Sequence, residues 1–539
     1  MMNSSAFNSA MERLAAAFGR LDERAVVALI LLGALALRVT RALLTAVVNN
    51  DSALYLHQAK AIYYGMWSVS NTCGLPHVST LPILTACFYR INGDWVLSMQ
   101  AVSVLFGTIT LIPIYLLVRL FFNFRTSCLV TLLFAVMPVF VSTSVDVVRD
   151  PPYWFFSACG LYFFVAAVKR EKTGLLPLAS IAFTLAAWNR VEAVLYLAVT
   201  ALYLAFRGAE GRWKKLLAYV APLLAAVGIV LALSALSSRG VHWFRIDEIP
   251  ARIKEALHVY RNLRMQLAAM IYNPPAGFPF QFFESARSLL WLLGLGILLK
   301  GAVEAFFYPF TALFVIGLFD FKKWRPSGLA GYFAALIACG FVLLYLYAMR
   351  TWTMENRYLA LVILPSFLFL GFGLERILSF LQVRWGMKDA AAVCLCALLI
   401  LLLAVPKQFV PHERDKAVFK EIGTRIAKEE GSERTVGIVS IGAPTMRWVS
   451  LYANLNVPTP LCPDDDYPAG VSLGSLVGNS YADFMKTVDA RGARYVVWEE
   501  RRWPTGKFNL LTAYNPHDLR IVGEWYHKDT GCIVLFKRL

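Results

Sequence analysis

Long apolar runs, each cut short by a small cluster of charges, set the pattern of this chain. A run of about 17–25 apolar residues can cross a bilayer as a helix, and such runs fall near 25–47, 96–118, 127–145, 152–168, 174–189, 191–206, 216–236, 328–348, 358–375 and 390–405. Another, 289–319, is too long for a simple span. Lys300 and Glu304 interrupt it four residues apart, as a charge pair on one helical face would. Taken as one kinked span it brings the count to eleven; taken as two it reverses the side of everything that follows. The expected fold class is an α-helical polytopic membrane protein with about 11–13 spans.

A different texture begins at Pro406. A polar, helix-like run through Arg414–Glu430 precedes the short apolar stretch Val436–Ser440, a second helical run covers Tyr481–Ala490, and Tyr495–Trp498 follows. Leu519–Tyr526 and Cys532–Lys537 read as paired strands. Helices alternating with short apolar strands predict a small α/β domain, which divides the chain into a transmembrane part, 1–405, and a terminal domain, 406–539. Neither a glycine-rich phosphate loop nor a catalytic triad is legible in the terminal part. Its Asp464-Asp465-Asp466 lies between prolines and reads as a solvated turn.

One short segment breaks the apolar pattern early. From Asp51, residues Tyr55, Ala59, Ile62 and Tyr63 share one helical face, His57, Lys60 and Tyr64 share another, and Gly65 ends the run. This predicts a helix lying along a membrane surface. Asp51 stands where a helix-capping residue would.

Composition excludes a soluble globular protein: 58% of the 539 residues are hydrophobic and 16% are charged. The net charge of +17 follows the positive-inside bias of membrane loops and does not call for nucleic acid. Arg119, Arg125, Lys169, Arg170, Lys172, Arg212, Lys214, Lys215, Arg376, Arg384 and Lys388 fall on one side, the cytoplasmic one, together with the N-terminus, only if 289–319 crosses an odd number of times. The opposite side receives the loop 48–95, the turns 146–150 and 189–191, the loop 237–288, the turn 349–357 and everything after 405. The expectation is a multi-pass protein of a bacterial plasma (inner) membrane, with a retained first anchor and an extracytoplasmic terminal domain. Cys73 and Cys87, and Cys462 and Cys532, lie outside and could pair, whereas the other cysteines lie within or beside apolar runs as packing residues.

Charge on the outer side carries the chemical signal. The positive-inside bias should keep arginine out of short outer turns, yet Arg149, Arg190, Arg350 and Arg357 stand there, accompanied by Asp146, Asp150, Glu192 and Glu355. Any one of them is explained by a local ion pair, but together they point to a polar cavity at the outer ends of the spans. Guanidinium groups suit a phosphate through bidentate hydrogen bonds. Tyr358, His57 and Lys300 complete the set expected to bind such a substrate. The loop 237–288, basic and aromatic, is expected to border the cavity mouth. Asp146 and Asp150, four apart, are the pair that could offer oxygens to a divalent metal, although the chemistry considered below requires no cofactor.

Asn50-Asp51-Ser52 before Tyr55 resembles the first-loop acidic motif of the membrane glycosyltransferases of the C-type fold. His77–Pro82 through Gly107 resembles their following juxtamembrane helix and second span. Val148-Arg149-Asp150-Pro151-Pro152 is similar to their second acidic loop, Trp188-Asn189-Arg190-Val191-Glu192 to a further outer turn, and Glu355-Asn356-Arg357-Tyr358 with Pro365 to the Arg-Tyr approach to a late span. The resemblance covers about residues 25–405 and is nearest to the protein O-mannosyltransferase (dolichyl-phosphate-mannose-protein mannosyltransferase) and aminoarabinose transferase group. It implies a polyprenyl-phosphate-linked sugar donor and Asp51 as the catalytic carboxylate. Protein mannosyltransferases carry Asp-Glu where this chain has Asp51-Ser52, which counts against a protein acceptor, so glycan and lipid acceptors stay open beside it. The function expected is inverting transfer to a hydroxyl or phosphate at the outer membrane face. The rival is a transporter or flippase for a lipid-linked saccharide; internal repeats, which would favour it, are not evident.

Overall fold

The computed structural model describes residues 22–75, 77–207, 211–236, 248–320, 328–462 and 477–539. The Asp464–Asp466 turn and the first part of the 237–288 loop lie outside these residues. Among the described residues, seven helices are long and apolar enough to cross a membrane: Glu23–Leu43, Trp95–Arg119, Asp150–Lys169, Phe280–Phe306, Gly328–Thr351, Asn356–Trp385 and Asp389–Phe409. Four shorter apolar helices join them: Phe124–Val136, Thr173–Asn189, Val191–Phe206 and Tyr308–Leu318. Two of the apolar runs break at places the sequence pattern does not see. The run 127–145 stops at Val136, since Pro138 cannot continue a helix through its missing N–H, and Pro138–Thr143 starts a new one. The run 289–319 breaks at Phe307, whose φ of 69° belongs to the left-handed region.

Contacts divide the chain into two compact units. The first takes residues up to 39, 104–144 and 149–409; the second takes 40–103, 145–148 and 410–539. The first unit is a helical bundle whose core is crowded with phenylalanine, leucine and alanine. Helices Tyr308–Leu318 and Phe367–Trp385 approach there to backbone contact, because a Cβ on Gly317 would stand 1.7 Å from the Phe369 carbonyl oxygen and one on Gly373 2.2 Å from that of Leu313. Arg38, fully buried, donates to the carbonyls of Ala34 and Ala135 and to Ser144 Oγ. The Ala135 carbonyl is among the last of its helix, which lack intrahelical donors, so the guanidinium supplies one.

The second unit holds a four-stranded sheet in the order β1-β2-β4-β3, with β1 Ile438–Ser440, β2 Tyr495–Glu499, β3 Leu519–His527 and β4 Gly531–Arg538. β1 and β2 run parallel with Val439 opposite Val496, and β4 runs antiparallel to both its neighbours. Every residue of β2 is buried, as expected for a central strand covered on both faces. The same unit contains the segment 40–103. Helix Ser52–Tyr63 is buried over nearly its whole length instead of lying open on a surface. Cys73 is bonded to Cys462, and Cys87 and Cys532 are free. That corrects both pairings suggested by sequence: the segment 40–103 and the terminal segment fold together, which brings cysteines 389 residues apart within reach.

Candidate functional site

Asp51 stands at the N-cap position of helix Ser52–Tyr63, but its side chain makes no cap hydrogen bond. Its Oδ1 accepts instead from Arg447 Nη1 at 2.9 Å. Arg447 belongs to helix Ala443–Ala453 of the terminal segment, and the same helix grips the 48–95 loop elsewhere. Trp448 Nε1 donates to the Val48 carbonyl at 2.8 Å, and the Tyr452 hydroxyl accepts from the Val48 N–H at 3.3 Å. Lys60 Nζ donates to the carbonyls of Asn454 and Val457. The backbone around Asp51 is held from a second direction. Asn49 N–H donates to the Asp146 carbonyl, and Ser52 Oγ donates to the carbonyls of Asp146 and Val147.

Asp146 is thereby a framework residue for this loop. Its Oδ1 is 2.6 Å from His412 Nε2, while His412 Nδ1 lies 3.0 Å from Arg41 Nη2. Arginine can only donate, so Nδ1 accepts and Nε2 carries the proton toward Asp146. His57 is buried and fixed at Nε2 by the Val69 carbonyl and Thr72 Oγ1.

The first unit contains a cavity of about 330 Å³. Its walls are mostly leucine, valine and isoleucine, and its polar groups include Arg190, Glu192, Arg252, Tyr347, Arg350 and Tyr358. Arg190 reaches it from the extended residue between helices Leu176–Asn189 and Val194–Arg207. Arg350 closes the last turn of Gly328–Thr351, where a cation suits the helix dipole. Arg252 comes from helix Glu248–Tyr272, the amphipathic part of the 237–288 loop, whose Ile249 and Ile253 also line the wall.

Tyr347 and Tyr358 meet edge to face, 4.8 Å between centroids, with Arg350 over the first ring and Arg190 and Arg357 over the second. Each of these guanidiniums also meets a carboxylate. Arg190 pairs directly with Asp150 and lies 3.4 Å from Glu192; Arg252 bridges Glu192 and Glu248; Arg350 pairs with Glu255 at 3.1 Å and Arg357 with Glu355 at 2.6 Å. The accompanying acids differ in depth: Asp150 is 1% exposed, whereas Glu255 and Glu355 are 56% and 52% exposed.

The structure therefore gathers Arg190, Glu192, Arg350 and Tyr358 from the sequence-based set around one cavity, with Asp150, Glu355 and Arg357 paired or stacked on them. Arg149 stands at the start of helix Asp150–Lys169 and acts electrostatically on Glu192. Lys300 does not join the cavity lining: it is 77% exposed on helix Phe280–Phe306, 3.9 Å from Glu304. Sequence reasoning missed Arg447, His412, Tyr347 and Glu255. The amphipathic, basic character of residues 248–272 was the signal for the last; nothing local marked Arg447.

The carboxylates of Asp51, Asp146 and Asp150 each face a protein donor, Arg447, His412 and Arg190. Among the described residues, Asp415, His527 and Asp529 have ligand atoms within 4.8 Å of one another, but Lys528 pairs with Asp415 and His527 Nδ1 accepts from the Asp529 N–H.

Residues 77–234 match the family model described as dolichyl-phosphate-mannose-protein mannosyltransferase. No curated protein matches the chain by sequence. Among solved structures, the Archaeoglobus fulgidus oligosaccharyltransferase with a tethered acceptor peptide is similar over 94% of this chain and 74% of its own, at 12% identity and a TM-score of 0.56. The same enzyme with zinc and sulfate gives 14% identity, coverage of 94% and 72%, and a TM-score of 0.55. ArnT from Cupriavidus metallidurans bound to undecaprenyl phosphate gives 13% identity, coverage of 95% and 97%, and a TM-score of 0.54. These likenesses show that the chain has the C-type fold of membrane glycosyltransferases, and residues 77–234 are similar to the protein mannosyltransferase family.

Proposed function

We propose that the protein transfers a sugar from a polyprenyl-phosphate carrier to an acceptor hydroxyl or phosphate at the outer face of a bacterial inner membrane, with inversion at the anomeric carbon. The observation that carries this reading is the cavity of the first unit, with apolar walls for a prenyl chain and guanidinium groups on its polar side. The domain division proposed remains 1–405 for the transmembrane part and 406–539 for an extracytoplasmic domain.

Asp51 takes the proton of the acceptor O–H, the acceptor oxygen forms its bond to the anomeric carbon, and the C–O bond to phosphate breaks with its electron pair leaving on the carrier phosphate. Arginine stabilises that charge, so no acid need protonate the leaving group. Releasing Arg190 from Asp150 would strand a buried carboxylate, which is costly. Arg350 and Arg357 can exchange their exposed glutamates for phosphate at little cost, and they are assigned the donor phosphate. ArnT of C. metallidurans, with its bound undecaprenyl phosphate, supports a lipid-linked donor for this chain.

The test is turnover by purified protein in detergent, using lipid-linked sugars extracted from bacterial membranes and reading released polyprenyl phosphate by mass spectrometry. Asp51→Asn should bind undecaprenyl phosphate normally and release almost none, because an amide cannot take the proton. Full turnover by this variant would remove Asp51 as base. Binding without release by the wild-type protein, across all acceptors tried, would favour the transporter reading.

A further inference from the structure

We infer that Arg447 is the positioning residue for Asp51, so that helix Ala443–Ala453 of the terminal segment belongs to the catalytic centre. The inference rests on the reading of Asp51 as base. An aspartate at an N-cap ordinarily turns back onto the free N–H groups of its own helix, a bond worth about 1 kcal/mol. Asp51 forgoes that bond. Its carboxylate is drawn to Arg447, 396 residues away in sequence, with the two side chains 25% and 21% exposed.

Arg447 is not a loose surface side chain that happens to meet an acid. Its helix is fixed to the outer loop one residue further on by Trp448 against Val48, and again by Tyr452 against Val48. Below the helix, Lys60 ties the carbonyls of Asn454 and Val457, and the Cys73–Cys462 bond closes the same unit. The backbone of Asp51 is separately braced by Asn49 Oδ1, which accepts from the Asp51 N–H at 3.0 Å. Loop and helix therefore hold the two charged groups in register even without their own contact. What the contact adds is the orientation of one carboxylate, and orientation is the property a general base needs, since misplacement by about 1 Å can cost on the order of 100-fold in rate.

A polar side chain that breaks its local structural rule and engages a distant, rigidly held partner is the behaviour expected of a functional residue. It also assigns the terminal segment a part in the chemistry, although its sequence shows neither a phosphate loop nor a catalytic triad. Arg447 acts through Asp51, with no bond made or broken on the guanidinium.

The experiment compares Arg447→Ala, Arg447→Gln and Arg447→Lys with wild type, using the same extracted lipid-linked sugars and undecaprenyl phosphate as the binding probe. Turnover by the Ala and Gln variants should fall by about 30- to 100-fold. Binding of undecaprenyl phosphate and the thermal midpoint should stay within the wild-type range. Arg447→Lys should recover part of the loss, and added guanidinium chloride at low millimolar concentration should raise the Ala variant and not the Gln variant. Wild-type turnover in the Ala and Gln variants, beside an inactive Asp51→Asn, would overturn the inference and leave Asp51 as base. A loss that tracks a lowered midpoint and ignores both lysine and guanidinium would reduce Arg447 to a structural contact and overturn it equally. An active Asp51→Asn would instead remove the reading on which it rests.

Discussion

Arg190 and Asp150 form an ion pair whose side chains are only 7% and 1% exposed, at the N-terminal end of helix Asp150–Lys169. Removing one member leaves the other charged and buried. Asp150→Ala should therefore lower stability by about 3–5 kcal/mol, while the double change Asp150→Leu with Arg190→Met should recover most of it. Unfolding midpoints in detergent check both. If undecaprenyl phosphate still binds the double variant, Arg190 is structural; if binding is lost at normal stability, the phosphate assignment must move from Arg350 and Arg357 to Arg190.

Glu255 occupies Arg350 as a solvent-exposed counterion. A carboxylate that must leave before phosphate arrives is a competitor, and exposed pairs of this kind are worth about 0.2–1 kcal/mol. Glu255→Gln should tighten undecaprenyl phosphate binding by about two- to five-fold, measured by titration in low-salt detergent. Weaker binding would mean that Glu255 holds Arg350 in the productive position.

Lys60 lies 2% exposed with two backbone carbonyls as hydrogen-bond acceptors, and burial pulls its ammonium down to about 7. The folded protein then holds fewer protons than the unfolded chain between about pH 7 and the ordinary lysine value of 10.5, so stability rises with pH through that window. Below 7 the penalty of the buried charge is fully present. The neutral amine keeps two N–H groups, enough for both carbonyls. The wild-type midpoint, measured against Lys60→Met, should climb from pH 7 to 10 by an amount on the order of 4 kcal/mol in stability. A pH-independent difference between the two would contradict the titration.

Gly317 allows two helices to touch backbone to backbone. Gly317→Ala would force its methyl to within 1.7 Å of the Phe369 oxygen, and the helices would have to separate. Overpacking of this kind costs about 1–3 kcal/mol or more. Folded yield and thermal midpoint should both fall, whereas Gly296→Ala, in open space, should change neither.

The spans were legible because apolar length alone marks them, and the outer arginines because each violates a charge bias at a fixed place. What sequence did not disclose is which charges meet. Arg190 and Asp150 are 40 residues apart and Asp51 and Arg447 are 396 apart, and no local pattern couples such positions. The cap reading of Asp51 was sound on local grounds and is set aside by a tertiary partner. Cys73 and Cys87, near in the chain, could pair on sequence grounds, but pairing follows nearness in space and Cys73 meets Cys462. Pro138 was visible in the run 127–145, but its effect, two helices in place of one span, depends on the turn at Met137.

The Cys73–Cys462 bond also acts as a parity rule on the membrane path. Two residues joined by a covalent bond lie on one face of the bilayer, so the chain between them must cross an even number of times. The ten apolar runs expected after the first anchor satisfy this when 289–319 is a single crossing, and an eleventh crossing would leave the two cysteines on opposite faces. If each of the other nine crosses, Phe280–Phe306 and Tyr308–Leu318 together make one passage, and the turn at Phe307 is a bend within it.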